Sequence, residues 1–263
     1  MGKLACVGAL ASTIFLAACA TPQLHPYEIE PTQVGAPGVE TVALLPLNVW
    51  VALPPELDAT TFRVTAAVRD HLSDCGREVT HFSMGDARGL WSHVSGGEGA
   101  DTAVADDAVG RFVRSLHQAR EFDVLVVPDL VYREAPIRIA SQVAVWDGVE
   151  RDLTVKGSAH SAGIFHGDAK IRGKAQGVSL HVAAYDPSGV RVFDGHGGLD
   201  LIHEWEFRTE YHYDRNMHRY AVPVYQQRFM KNRLADEAHL QEGIALAFHP
   251  YLVSPSHPVG EAR

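Results

Sequence analysis

The spacing of apolar positions changes several times along this chain, and each change marks an element. Residues 39–51, "VETVALLPLNVWV", are β-branched and aliphatic and predict a buried strand that Pro46 ends or moves to an edge. "LDATTFRVTAAVRDHLSDCG" then switches to a helical period. Phe62, Ala66, Val68, Leu72 and Cys75 are its expected inward stripe, Asp58 its cap and Gly76 its stop. "REVTHF" predicts a short strand, and residues 83–101, rich in glycine, predict a mobile loop. A second helix over "ADDAVGRFVRSLHQAREF" places Val109, Phe112, Val113 and Leu116 inward. "FDVLVVPDLVY" follows it as a strand apolar enough to be covered on both faces.

The second half reads as strands broken by glycine, and the glycines of "GHGG" at 195–198 lack the spacing of a dinucleotide loop and read as turn residues. Trp146-Asp147-Gly148 predicts a turn with an aromatic anchor, and "SLHVAAYDPSGVRVFDGHGG" predicts a hairpin closed at Pro187-Ser188-Gly189. "YQQRFMKNRLADEAHLQEGIALAFHPYL" predicts a last helix with Leu240, Ile244, Ala247 and Phe248 inward and Pro250 as its break. The order implies an α/β fold: one sandwich-like domain over residues 39–253, a mixed sheet packed by two or three helices, with a disordered tail at 254–263.

The amino-terminal pattern is of another kind. Lys3 precedes an apolar stretch from Leu4 to Ala18 that is too short to span the roughly 30 Å hydrocarbon core, and small residues follow. Leu16-Ala17-Ala18-Cys19 resembles the bacterial lipobox. That resemblance implies a signal peptide at 1–18, cleavage before Cys19, a diacylglycerol thioether on its sulfur and acylation of its amino group. Ala18-Cys19-Ala20 also fits an ordinary secretory cleavage site, which would release a soluble protein. In lipoprotein sorting an aspartate after the cysteine retains a protein at the inner membrane; Ala20 here favours the outer membrane, facing the periplasm. Residues 19–38 carry several prolines and no period, and predict a flexible tether with a reach of about 25 Å.

Composition narrows the function classes. Cys6 lies in the signal and Cys19 is spent on lipid, so Cys75 has no internal disulfide partner and is expected to be a buried apolar residue. The net charge of −9 and the scattered basic residues argue against nucleic acid as a partner. No second apolar run is long enough to cross a membrane.

Three stretches together, "VETVALLPLNVW", "FDVLVVPDLVY" and "GVSLHVAAYDPSGVRVFDGHGGLDL", resemble a broad group of envelope lipoproteins. The group includes the curli-secretion lipoprotein, the amino-terminal domain of the Tol translocation protein and the lipoprotein activators of penicillin-binding proteins. The resemblance implies a small α/β sandwich that acts as a binding or assembly module, without catalytic residues or a cofactor. Residues 83–101, 134–175 and 203–220 depart from that group.

Two sets of residues carry candidate chemistry. His160, His166 and Asp168 stand at even spacing and would share a strand face, and His181 or His196 could complete a divalent-metal site of a hydrolase. On a continuous strand His160 and His166 lie about 20 Å apart, so a shared metal requires Gly163 and Gly167 to fold the segment back. The other set is "HEWEFRTEYHYDRNMHRY", residues 203–220. Trp205, Phe207, Tyr211 and Tyr213 offer an aromatic surface for an envelope protein or a glycan, while His212 and His218 are possible ligands. An alternating strand face would explain the same residues. The function expected is therefore a lipid-anchored, non-catalytic binding or assembly module of the bacterial envelope, with the metal hydrolase as its alternative.

Overall fold

The computed structural model describes residues 27–29, 35–94, 106–156, 171–216, 218–230 and 234–253. Lipidation at Cys19, the signal segment, the tail from 254 and the candidate ligands His160, His166 and Asp168 lie outside them.

The first buried run forms strand β2 (Thr41–Leu44), flanked in parallel by β3 (Glu78–His81) and by the amino-terminal part of β4 (Val124–Arg138). From β4 outward the sheet is antiparallel, through β8 (Lys174–Tyr185) and β9 (Arg191–Leu201) to β1 (Tyr27–Ile29). The order is β1-β9-β8-β4-β2-β3, a mixed sheet in an α/β domain. The expected tether thus contributes a strand: Tyr27 pairs with Gly195 at the sheet edge.

Alternation sorts the two faces. Val124, Val126 and Leu130 of β4 and Val178, Leu180, Val182 and Ala184 of β8 meet α1 (Thr61–Asp74) and α4 (Glu237–Phe248). On the other face Leu125, Val127, Ala183 and Tyr185 meet α2 (Met84–Val94) and α3 (Asp106–Ala119). Val109, Phe112, Val113 and Leu116 are buried as their spacing predicts, and so are Leu240, Ile244, Ala247 and Phe248.

Four expectations need correction. The α1 stripe is Val64, Ala67, Val68, His71 and Leu72, while Phe62 is 87 % exposed. A 3-10 turn (Pro55–Thr60) precedes the helix and contains the expected cap Asp58; Thr60 is the N-cap instead, without a side-chain hydrogen bond. Part of the expected glycine loop is helix α2, held by Ala87 and by partly buried Leu90, Trp91 and Val94 against the core. The last helix begins only at Glu237, where Asp236 accepts from the backbone N–H groups of Ala238 and His239; the preceding residues to Phe229 are strand. The glycines of "GHGG" are strand residues, not a turn. A Cβ on Gly197 would overlap the Gly243 carbonyl oxygen and one on Gly195 the Ala247 carbonyl oxygen, so these glycines let α4 lie close on β9.

A small hairpin, β5 (Val143–Trp146) and β6 (Val149–Asp152), continues from the far end of β4. Its turn is Asp147-Gly148, both at positive φ (37° and 82°), as a two-residue hairpin requires. Trp146 folds onto the sheet beside Gly177, where a Cβ would overlap its indole. A second sheet joins β7 (Val155–Lys156), β10 (His203–Tyr213) and β11 (Arg219–Phe229). β10 and β11 pair from His203↔Phe229 to Tyr213↔Arg219, whereas β7 touches only Trp205 and Glu206. Beyond Glu206 the pair is, among the described residues, a two-stranded arm.

Candidate functional site

The face of β4, β8 and β9 under α3 changes from apolar to charged along the strands. Val127 and Ala183 lie beneath the helices; one step on, Asp129 pairs across with His181, and His181 with His196. Directly opposed residues project to the same side, so register alone puts these three in one row, with Asp194 two positions from His196 on the same face. Arg133, further along β4, and Asp147, from the β5–β6 turn, close the far side.

The contacts are specific. His181 Nε2 bonds Asp194 Oδ1 at 2.9 Å, and its Nδ1 faces Asp129 Oδ2 at 3.8 Å. Asp194 Oδ2 accepts from Arg191 Nη1 at 2.6 Å. The two imidazoles stack with centroids 4.6 Å apart and planes 23° from parallel. Arg133 Nη2 lies 2.9 and 3.1 Å from both ring nitrogens of His196, which sets it over the ring and not at one lone pair. Arg133 Nε donates to Asp147 Oδ2 at 3.1 Å, and Ser179, which accepts from the Trp146 indole, donates to the same oxygen.

Electrostatics divides the two histidines. Burial alone would lower the pKa of His181, but the hydrogen bonds and charges of Asp129 and Asp194 outweigh it and push it up to about 9. For His196 burial lowers the pKa, and the cations His181 and Arg133 lower it further, so its ring is neutral near pH 7. Burial would raise the Asp194 pKa, yet His181 and Arg191 hold it below the usual carboxylate value. Asp129 is 6 % exposed, and its Oδ1 has no hydrogen-bond partner. A buried carboxylate oxygen without a donor is costly.

Of the aromatic residues expected to face a partner, Trp205 is instead core. It is 2 % exposed and packs with Ala135, Ile137, Trp146 and Val149 at the base of the arm. Phe207 packs edge-on against Tyr225. Tyr211 and Tyr213 are 52 % and 62 % exposed further out, with Arg219 over the Tyr211 ring. His212 faces Glu210 and His218 faces Asp214, each apart from the cluster on the sheet.

The His181 cluster was within reach of the sequence only in part. A hairpin centred on the predicted turn Pro187-Ser188-Gly189 sets His181 opposite Gly195, one residue short of His196; the register shift between Ala184 and Tyr185 supplies the difference. Asp129 and Arg133 come from a distant strand whose register no local pattern sets.

No protein-family model matches the chain, and a search of curated proteins finds no match. Among solved structures, a dodecamer of a PelC variant from Paraburkholderia phytofirmans is similar at 10 % identity and a TM-score of 0.36, covering 87 % of this chain and 99 % of that one.

Proposed function

We propose that the chain is a lipid-anchored module of the bacterial cell envelope, held at the outer membrane through Cys19 and facing the periplasm, that acts by binding a protein partner. The lipobox supports the anchor. The arm is the observation that carries the binding reading. Beyond Glu206 its two strands have no sheet neighbour among the described residues, and it presents Tyr211 and Tyr213 with Glu210 and Arg219 around them. An isolated two-stranded hairpin is marginal in water and leaves two edges open. A partner strand or groove would satisfy those edges, and amphipathic tyrosines are efficient anchors at such contacts. Pro223, which has no N–H to donate, sits on the edge strand β11 and limits indiscriminate pairing.

Two measurements test the proposal. Intact mass of the membrane-extracted chain should show acyl chains on a protein beginning at Cys19, absent in Cys19→Ala; a soluble product beginning at Thr21 would end the anchor reading. A photo-crosslinker at position 213, in the full chain in its own membranes, should join one discrete envelope protein. Tyr211→Ala with Tyr213→Ala should remove that partner and leave the melting temperature unchanged. A crosslink profile no different from that of an exposed position remote from the arm, such as Phe62, would return the arm to structure alone.

A further inference from the structure

We propose that His181, Asp194 and His196 form a binding site for a divalent transition metal ion, zinc by its donor set, with Asp129 and Arg191 orienting the ligands.

The first argument is the convergence of donors. One ligand atom from each of the three residues lies within 4.8 Å of the other two, and His181 Nε2, Asp194 Oδ1 and His196 Nε2 are separated by 2.9 and 3.9 Å along the chain of contacts. Bonds of about 2.0–2.2 Å in a tetrahedron place donors roughly 3.3 Å apart, so the donors must close by up to about 1.5 Å and the two stacked rings must splay until their in-plane lone pairs meet at the ion. Two imidazoles and a carboxylate leave the fourth position for water or a donor from a partner.

The second argument is the support behind each ligand. A metal-bound histidine usually gives its other ring N–H to a carboxylate, and His181 turns Nδ1 toward Asp129 while Nε2 faces the ligand cluster. Asp194 keeps Oδ1 on the cluster because Arg191 holds Oδ2. All three ligands stand on paired strands, which fixes their spacing better than loops would.

Charge supplies the third. Three carboxylates, Asp129, Asp147 and Asp194, face two guanidiniums, Arg133 and Arg191, an excess of negative charge that favours a bound cation. Arg133 lies against His196 but is tied to Asp147, which offsets its repulsion of a cation.

This site is independent of the arm and of the lipid anchor. The probe is Zn²⁺, with Co²⁺ as its coloured substitute, added at pH 8 to the full chain in detergent after chelation. One equivalent per chain should bind, and Co²⁺ should give the absorption band of a four-coordinate site. His181→Gln and His196→Gln should each abolish it, Asp129→Asn should weaken it about 10- to 100-fold, and His212→Gln should leave it unchanged. In the parent chain, Co²⁺ should broaden the imidazole signals of His181 and His196 first, which locates the ion without any variant. No stoichiometric binding, or binding that survives both glutamine variants in folded protein, or broadening centred on other histidines, would overturn the proposal.

Discussion

Asp123 closes the start of two parallel strands with one carboxylate oxygen. Its Oδ2 accepts from the Glu40 and Thr41 backbone N–H groups at 2.8 Å each and from the Thr41 hydroxyl at 3.0 Å. The backbone bond from Thr41, then that from Glu40, hold its pKa below the usual aspartate value. A carboxyl whose folded pKa is depressed stabilises the fold above its unfolded pKa and loses that effect as pH falls through the folded one. Asp123→Ala should therefore cost about 1 kcal/mol in urea unfolding at pH 7, and the gap to the parent should close as the pH falls below 4. An equal gap at pH 7 and pH 3 would show that the carboxylate's charge is irrelevant there. Cys75 gives the opposite kind of case. Cys75 is half-buried, less than expected; that burial pushes its thiol up to about 11, only partly countered by Arg77, and its Sγ lies 3.8 Å from His71 Nε2. Since the thiolate is the nucleophile, an alkylating reagent at pH 8 should modify the folded chain about 100-fold more slowly than the urea-unfolded chain. Comparable rates would mean an exposed, reactive thiol.

Among the elements, α4 on β9 shows where glycine sets the packing. Gly197 and Gly243 face one another so closely that a Cβ on either would overlap backbone of the other element. Backbone cannot step aside as a side chain can, so Gly197→Ala should cost more than about 2 kcal/mol. Gly89 in α2 is a built-in contrast: nothing lies within 4 Å of its missing Cβ and its φ is not positive. Gly89→Ala should raise stability by about 0.4–1 kcal/mol by narrowing the unfolded ensemble. If both variants moved stability the same way, close approach would not be the reason for Gly197. These glycines also mark the limit of pattern reading. The α3 and α4 stripes were legible because their apolar residues repeat at the helical period over several turns. The strand glycines read as turn residues, because "GHGG" looks the same whether a chain reverses or a helix lies against it. Similarly, Phe62 fits a helical stripe as well as Val64 does. Packing against the sheet decides between them, burying Val64 and exposing Phe62, and that contact leaves no local signature in the sequence. For the site, the predicted hairpin brought His181 and His196 within one residue of each other, a register shift completed the pair, and Asp129 and Arg133 depend on sheet order, which is a property of the assembled core.

At the scale of the molecule, burial divides the chain into a double-sided core and an appendage. The sheet carries one apolar cluster under α1 and α4 and another under α2 and α3, and a third gathers Trp146, Val149 and Trp205 where the arm begins. Past Phe207 the arm shows Tyr211 and Tyr213 to solvent and carries exposed pairs such as His212 with Glu210 and His218 with Asp214. Surface ion pairs contribute little, about 0–1 kcal/mol, so almost no folding energy resides there. Shortening the arm by removing residues 209–223 and joining Arg208 to Val224 through a two-residue turn should therefore leave the urea midpoint of the domain close to the parent's. Trp205→Ala, in contrast, should cost about 3–5 kcal/mol, since it opens a cavity in the third cluster. Hydrogen exchange checks the same division without any variant: amides of residues 209–216 should exchange orders of magnitude faster than those of β4 and β8, which open only with the whole fold. Slow exchange along the arm in the isolated protein would mean that its edges are already covered, and its role as the partner-facing element would fall with that result.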